Sequence, residues 1–219
     1  MTERRRLHLL VEGQTEATVV RETMLDHFQA EGWLVTWSMI RTQRSTGAHR
    51  GGVSSWAKIH RDVKELLGGK NLHVLTTLFD YYGFPEDAPG MPTRPAGSAH
   101  DQVAHVEQAL AATVGDRRFL PHLVLHELET WVFAAADQLA ELRGEPELAN
   151  RLKADCLAAG GAELVNNGPK TAPSKRLTSY CGDYLKTVDG PLAINDLGIK
   201  ALKKQCPHFA AWLDELSSR

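Results

Sequence analysis

The chain has 219 residues and a formal net charge of −2, from 25 Lys and Arg against 27 Asp and Glu. Its 42% hydrophobic and 24% charged residues are ordinary values for a globular protein, which excludes the disordered and fibrous classes. The mean hydropathy of −0.30 and the lack of a long apolar run exclude a membrane span. The length suits one large α/β domain, or a core domain with a small extension.

The cysteines and the start of the chain bear on the cell compartment. Cys156, Cys181 and Cys206 are too few and too far apart for a disulfide framework or a paired-cysteine metal site. Basic residues at the start precede an apolar stretch that runs only from Leu7 to Val11, which is too short for a secretory signal. These features predict a cytoplasmic protein with reduced thiols.

The charge is distributed unevenly along the chain. Residues 1–75 carry 11 basic and 8 acidic side chains, net +3, and residues 151–219 carry 10 and 7, also net +3. Residues 76–150 carry 4 basic and 12 acidic side chains, net −8. This pattern is typical where carboxylates gather around a cation and other elements face phosphates, although an acidic solvated surface explains it equally well.

Strands and helices alternate over the first 130 residues. Apolar and β-branched runs predict strands over 7–11, 33–40, 72–79 and 119–125. Apolar periodicity and capping residues predict helices from Thr15 to about Gln29, from Ser54 or Ser55 to Gly68, and over 99–114. Loops are expected over 41–52 and over the proline-rich segment 81–97. The alternation implies βαβ units and a largely parallel sheet.

The remainder of the chain is predicted to be mainly helical. Helices are expected over 130–143, 147–158, 175–187 and 199–217, with a loop over 161–174. The expected architecture is an α/β core over residues 1–130, with a mostly parallel sheet flanked by helices. Residues 131–219 are expected to form a helical extension that packs on the core.

Acidic residues follow three of the four predicted strands. Glu12 follows the first strand, Asp80 the third, and Glu127 and Glu129 the fourth. In open α/β sheets, the functional crevice lies beyond the carboxyl ends of the strands. Carboxylates gathered there suit Mg²⁺ or Mn²⁺, which could polarise a phosphodiester and activate water. The alternative is that each acid forms a turn or caps a helix.

The order of these motifs carries a family resemblance. The strand–Glu12-Gly13–helix arrangement with a later strand ending at Asp80 is similar to the Toprim domain of topoisomerases, primases and OLD-type nucleases. More closely, four motifs resemble those of an uncharacterised bacterial Toprim-like family: EGQTE (12–16), DYYGFP (80–85), HELETW (126–131) and CPHF (206–209).

The resemblance implies a Toprim- or Rossmann-like fold and a catalytic role for these acids. It implies that Glu12 acts as general acid/base or metal ligand and that Asp80 binds Mg²⁺. It also implies an ATPase partner encoded nearby and a role in phage defence.

One position departs from the Toprim pattern, because Tyr82 stands where a second Asp is expected. A phenol is a poor Mg²⁺ ligand at neutral pH. Either Glu127 or Glu129 supplies the missing carboxylate, or metal binding is weak and the site is not a nuclease. These two glutamates share one face only on a strand, so only strand geometry lets both approach one metal. In the HELETW motif (126–131), Thr130 is expected to be a helix N-cap and Trp131 a core residue.

Basic residues after the second strand predict a phosphate-binding surface. The net charge is +5 within residues 41–64, from Arg41, Arg44, Arg50, Lys58, Arg61 and Lys64 against Asp62. Such a cluster suits nucleic-acid phosphates, and a flexible solvated loop is the alternative. Lys175, beside the later loop, is a further predicted phosphate contact.

The sequence is compatible with two main functions. The leading hypothesis is a Mg²⁺-dependent Toprim-like nuclease or related phosphoryl-transfer enzyme with Glu12, Asp80, Glu127 and Glu129 as its site. The rival is a degenerate, non-catalytic subunit that docks on an ATPase partner. A nucleotide-binding module is a third hypothesis, and the chain could form a homo-oligomer in any of these roles.

Overall fold

The strands form one sheet. The computed structural model describes residues 5–40, 55–165, 168 and 171–219. The strand order is β2-β1-β3-β4, and β5 pairs with β3. The bounds are β1 (Arg5–Val11), β2 (Trp33–Met39), β3 (Val74–Asp80), β4 (Phe119–Leu120) and β5 (Leu123–Val124). The β1–β2, β1–β3 and β3–β4 pairs are parallel, which confirms the predicted α/β fold.

The helices of the first 120 residues lie close to their predicted positions. The first is α1 (Gln14–Val19), which passes through a π-helical turn (Val20–Met24) into α2 (Leu25–Ala30). The others are α3 (Trp56–Leu67) and α4 (Ala99–Val114). α4 has the predicted bounds because Ser98 and Asp101 form a capping box at its start and Gly115 adopts a left-handed conformation at its end. The arginines of the predicted basic loop, Arg41, Arg44 and Arg50, lie outside the described residues.

The later part of the chain is helical, as predicted, but its helices are shorter and more numerous. They are α5 (Glu129–Ala134), α6 (Ala136–Arg143), α7 (Pro146–Ala159), a 3₁₀ turn (Ala162–Leu164), α8 (Pro173–Tyr180), α9 (Asp189–Leu197), α10 (Ile199–Gln205) and α11 (Pro207–Ser218). None of the helices in the described ranges is both long and apolar enough to cross a bilayer.

The predicted helices over 175–187 and 199–217 were wrong in extent. α8 ends at Tyr180 because Cys181 is extended, and α9 begins only at Asp189. Gly190 and Pro191 resemble helix breakers in the sequence, but Pro is tolerated in a first helical turn, where its missing N–H would have no helical partner. The helix predicted over 199–217 divides before Pro207. Pro207 begins α11, because proline is tolerated in a first helical turn but not in a helix interior.

The chain divides into two compact units. The first unit comprises Met1–Gly13 and Phe28–Leu123, and the second comprises Gln14–His27 and Val124–Arg219. In the first unit, Leu7, Leu9 and Leu75 are fully buried, as expected for central strands of a parallel sheet. In the second unit, the Trp131 and Phe209 rings pack with centroids 4.7 Å apart, which confirms Trp131 as a core residue.

The strand predicted over 119–125 is divided in two. Pro121 lies at the break, where it has no N–H to continue a ladder. The buried Thr77 side chain, on the neighbouring strand β3, supplies hydrogen bonds to the backbone at this break. Its Oγ1 donates to the carbonyl of His122 at 2.8 Å and accepts from the His122 N–H at 2.9 Å. One hydroxyl thus replaces two backbone ladder bonds.

Candidate functional site

Glu12 and Asp80 lie together at the carboxyl ends of two neighbouring strands. In the β1–β3 register Val11 is opposite Leu78, and the Glu12 N–H donates to the Leu78 carbonyl at 3.2 Å. The Asp80 N–H donates to Oε2 of Glu12 at 3.3 Å. Both residues are half-buried. The structure therefore brings these two predicted site residues to one edge of the sheet.

The DYYGFP motif (80–85) forms a packed turn directly after β3. Tyr81 and Phe84 are buried, and the rings of Phe79 and Phe84 lie 6.2 Å apart between centroids. Gly83 has a φ of 80°, a left-handed conformation that favours glycine. The Arg94 guanidinium donates to the Tyr81 hydroxyl at 3.4 Å, so the irregular segment folds back onto its own start. This packing fixes the backbone that carries Asp80.

Tyr82 contributes no carboxylate to this edge. Its side chain is 41% exposed, in contrast to the buried Tyr81 beside it. The acids that the first unit places at the ends of β1 and β3 are thus Glu12 and Asp80. Their oxygens are hard donors of the type that Mg²⁺ and Mn²⁺ prefer.

A second pair with metal-binding donor types occurs in the first unit. Oε1 of Glu107, on α4, accepts from the Leu123 N–H at 2.8 Å and lies 3.5 Å from Nδ1 of His122. His122 is buried, and its backbone is held by Thr77. A carboxylate beside an imidazole suits a divalent transition metal. The sequence does not reveal this pair, because its members lie 15 residues apart on different elements.

The second unit positions Glu127 and Glu129 in a geometry that the sequence did not predict. Glu127 lies in an irregular segment, and Glu129 is the first residue of α5, so the two glutamates do not share one face of a strand. Ser174, in the first turn of α8, donates to Glu127 from its N–H at 2.9 Å and from its hydroxyl at 3.1 Å. Thr130 is inside α5 and donates to the Glu127 carbonyl at 2.9 Å, so its predicted N-cap role was also wrong.

Glu129 is a deeply buried acid with a lysine beside its carboxylate. Its Oε1 lies 3.1 Å from Nζ of Lys186. Burial raises the pKa of Glu129, the Lys186 charge opposes that rise, and the Glu127 charge adds to it. Burial, together with the Glu129 charge, also raises the pKa of the Tyr184 hydroxyl. Glu127 and Glu129 are therefore close enough to repel each other even without strand geometry.

The described members of the predicted basic set belong to different units. Lys58 is half-buried on α3 in the first unit, and Lys175 is exposed on α8 in the second. On α3, the exposed Arg61 places Nε 3.7 Å from the buried Asp62 carboxylate. Phosphate binding by Lys58 and Lys175 stays a prediction.

The CPHF motif (206–209) has a structural role that involves a distant acidic residue, Glu163. Glu163, which is buried, accepts from the N–H groups of His208 at 2.8 Å and Phe209 at 3.0 Å. These are N–H groups of the first turn of α11, which have no partners within the helix. Since 45 residues separate Glu163 from His208, no local capping pattern could have revealed this contact.

Comparison with known protein families gives one match. Residues 11–217 match a family described as a domain of unknown function, DUF4276. The chain belongs to this family. The match spans EGQTE, DYYGFP, HELETW and CPHF, and the parallel sheet is consistent with a Toprim-like fold. No curated protein and no solved structure matches the chain.

Proposed function

We propose that this DUF4276 protein is a Mg²⁺-dependent, Toprim-like nuclease or a related phosphoryl-transfer enzyme that acts on nucleic acid. The observation that supports the proposal is the 3.3 Å hydrogen bond from the Asp80 N–H to the Glu12 carboxylate, at the carboxyl ends of adjacent parallel strands. Ligands of open α/β sheets bind in the crevice beyond these ends.

The residues at this edge fit a hard divalent cation. Both side chains offer carboxylate oxygens, which such a cation prefers, and both residues are half-buried. Mg²⁺ held there would polarise a phosphodiester oxygen and lower the pKa of an attacking water. Asp80 would serve as a ligand, and Glu12 as a ligand or as the group that accepts or returns a proton. Glu127 and Glu129 stay predicted as additional ligands.

The remaining parts of the proposal concern the substrate and partners. Arg41, Arg44, Arg50, Lys58 and Lys175 would bind nucleic-acid phosphates, since their charges are suited to phosphate oxygens. The Toprim-like resemblance supports a role in phage defence with an ATPase partner.

The proposal is tested by cleavage assays with DNA, RNA and tRNA in Mg²⁺ and in Mn²⁺. Glu12→Gln and Asp80→Asn should each lower metal-dependent cleavage by at least ~100-fold, because both remove a charge that the metal or the attacking water needs. Glu65→Gln, on the exposed face of α3, is the matched control and should keep parental activity. Equal activity in the parent and in both site variants would contradict the proposal.

Tyr82 favours one alternative, a non-catalytic subunit that binds an ATPase partner. Without an acid at that position, the first unit has one carboxylate fewer than the Toprim pattern. Titration calorimetry with Mg²⁺ and Mn²⁺ separates the two functions. Binding that is lost in Asp80→Asn supports the enzyme, whereas no detectable heat in the parent supports the non-catalytic subunit.

A further inference from the structure

The first unit contains an open cavity on one face of the sheet, towards the amino ends of the strands. It is lined by β1, β2, the last turn of α3 and the segment that precedes β3, and its volume is about 280 Å³. This volume is near the lower end of the range for small-molecule sites. Arg6, which lines the cavity, lies six residues before Glu12, or roughly 20 Å along an extended strand. The cavity is therefore separate from the proposed metal site.

The cavity lies on the less buried face of β1 and β2. In the β1–β2 register, Arg6 is opposite Leu34 and His8 is opposite Thr36, so these four side chains share one face of the sheet. Leu34 is 42% exposed, whereas Trp33, on the other face of β2, is buried. Both faces of a parallel sheet are usually covered, so the open region leaves room for a ligand.

The charged side chains that line the cavity are basic. Arg6 and Lys70 are both exposed, and neither has an ion-pair partner among the residues that the structure describes. In the same described part of the chain, no acidic side chain lines the cavity. A phosphate monoester carries a charge of about −1.5 to −2 at neutral pH, which matches these two cations.

Hydrogen bonds hold the walls of the cavity in place. The Arg6 N–H donates to Nδ1 of His73 at 3.0 Å, and the Arg6 carbonyl accepts from the His73 N–H at 3.0 Å. At the end of α3, the Arg118 guanidinium donates to the carbonyls of Leu67 at 2.6 Å and Gly69 at 3.1 Å. This cation also compensates the partial negative charge of the helix C-terminus, which would otherwise repel an anion.

The remaining lining residues suit the body of an organic phosphate. Leu34, Leu66 and Leu72 provide apolar surface. The side-chain amide of Asn71 offers a donor and an acceptor, the combination that matches the edge of a nucleobase. His8 adds no charge, because burial lowers its pKa. Its Nδ1 forms a 2.8 Å hydrogen bond with the hydroxyl of Thr36, which fixes the ring on the floor of the cavity.

We propose that this cavity binds a nucleoside monophosphate, with the phosphate between Arg6 and Lys70 and the nucleoside against the leucines. The small volume suits one mononucleotide rather than a polynucleotide chain. This site goes beyond the proposed function and does not rest on it, because Glu12 and Asp80 do not line the cavity.

The test is titration calorimetry of the full-length protein with AMP in the presence of EDTA. One AMP should bind per chain, at least ~10-fold more tightly than adenosine or inorganic phosphate alone, because ionic and apolar contacts act together. Arg6→Gln and Lys70→Gln should each weaken AMP binding at least ~10-fold, since each removes a charged donor. Lys200→Gln, at an exposed position on α10, is the matched control and should keep the parental affinity.

Three results would overturn the inference: no AMP binding by the parent, inorganic phosphate that binds as tightly as AMP, or unchanged AMP affinity after Lys70→Gln. Circular dichroism verifies that each variant is folded, and if Arg6→Gln unfolds, Lys70→Gln still decides.

The proposed function is judged separately. The Glu12→Gln/Asp80→Asn double variant should bind AMP like the parent, and loss of AMP binding in that variant would place the nucleotide at the other site and contradict the inference. A parent that binds AMP but cleaves no nucleic acid would contradict the proposed function alone.

Discussion

The carboxylate of Glu12 accepts a hydrogen bond from the backbone amide of Asp80 at 3.3 Å, across 68 residues of sequence. The contact exists because β1 and β3 are parallel neighbours in the sheet and both residues lie where these strands end. This hydrogen bond helps to orient the Glu12 carboxylate at the ends of the two strands.

We expect Glu12→Gln to leave the metal-free protein nearly as stable as the parent. Glutamine keeps an oxygen that can accept from the Asp80 N–H, and the position is half-buried, so water can also satisfy that group. The free energy of unfolding in urea, measured with EDTA, should change by less than ~1 kcal/mol. A loss above ~3 kcal/mol would show that the carboxylate is structural rather than available for a ligand.

Thr77→Val should destabilise the first unit. The substitution conserves shape but leaves the buried N–H and carbonyl of His122 without the hydroxyl that serves both. The expected loss is about 2 kcal/mol in urea unfolding, because buried backbone groups lose their hydrogen bonds. Thr77→Ser retains the hydroxyl and should recover most of that loss. Equal stability of the valine variant and the parent would contradict this role.

Glu163→Gln should weaken the start of α11. The side-chain amide has one acceptor oxygen, whereas the carboxylate accepts from both His208 and Phe209 with separate oxygens. The free energy of unfolding should fall by about 1–3 kcal/mol, since one buried N–H loses its partner. Glu147→Gln, exposed in the first turn of α7, is the control and should change stability by less than ~0.5 kcal/mol.

Asp116 should contribute a pH-dependent part of the stability. Hydrogen bonds from the side chain and the N–H of Arg118 lower the pKa of Asp116 to about 2. Because the folded pKa lies below the unfolded value of about 3.9, this contribution is complete above pH ~4 and is lost as the pH falls towards 2.

Urea unfolding of Asp116→Asn tests that window. The variant should be less stable than the parent by about 1 kcal/mol at pH 7, a modest value because the ion pair is partly exposed to solvent. The difference should narrow steadily below pH ~4. Asp26→Asn, at an exposed position, should show no such narrowing. A difference in the free energy of unfolding between Asp116→Asn and the parent that stays constant from pH 7 to pH 3 would contradict this role of Asp116.

Local signals predicted those elements whose boundaries depend on nearby residues. The helix over 99–114 was confirmed because its capping box and terminal glycine act within a few residues of its ends. The helix over 175–187 was wrong because Asp189 and its neighbours pair with residues far away in sequence. Arg143 contacts Asp189 from 46 residues earlier, and this contact helps to place the start of α9.

The sequence alone determined the α/β class, the parallel sheet and the presence of acids after successive strands, because apolar periodicity and strand-end residues are local properties. Only the tertiary structure decided that Glu12 reaches the Asp80 amide, that Thr77 substitutes for ladder bonds at Pro121, and that Lys186 lies against Glu129. These contacts depend on strand register and on tertiary packing, which bring together groups that are 45 to 68 residues apart. The same packing excludes water from Glu129, so the charge state of this acid depends on its surroundings and cannot be read from the residue type alone.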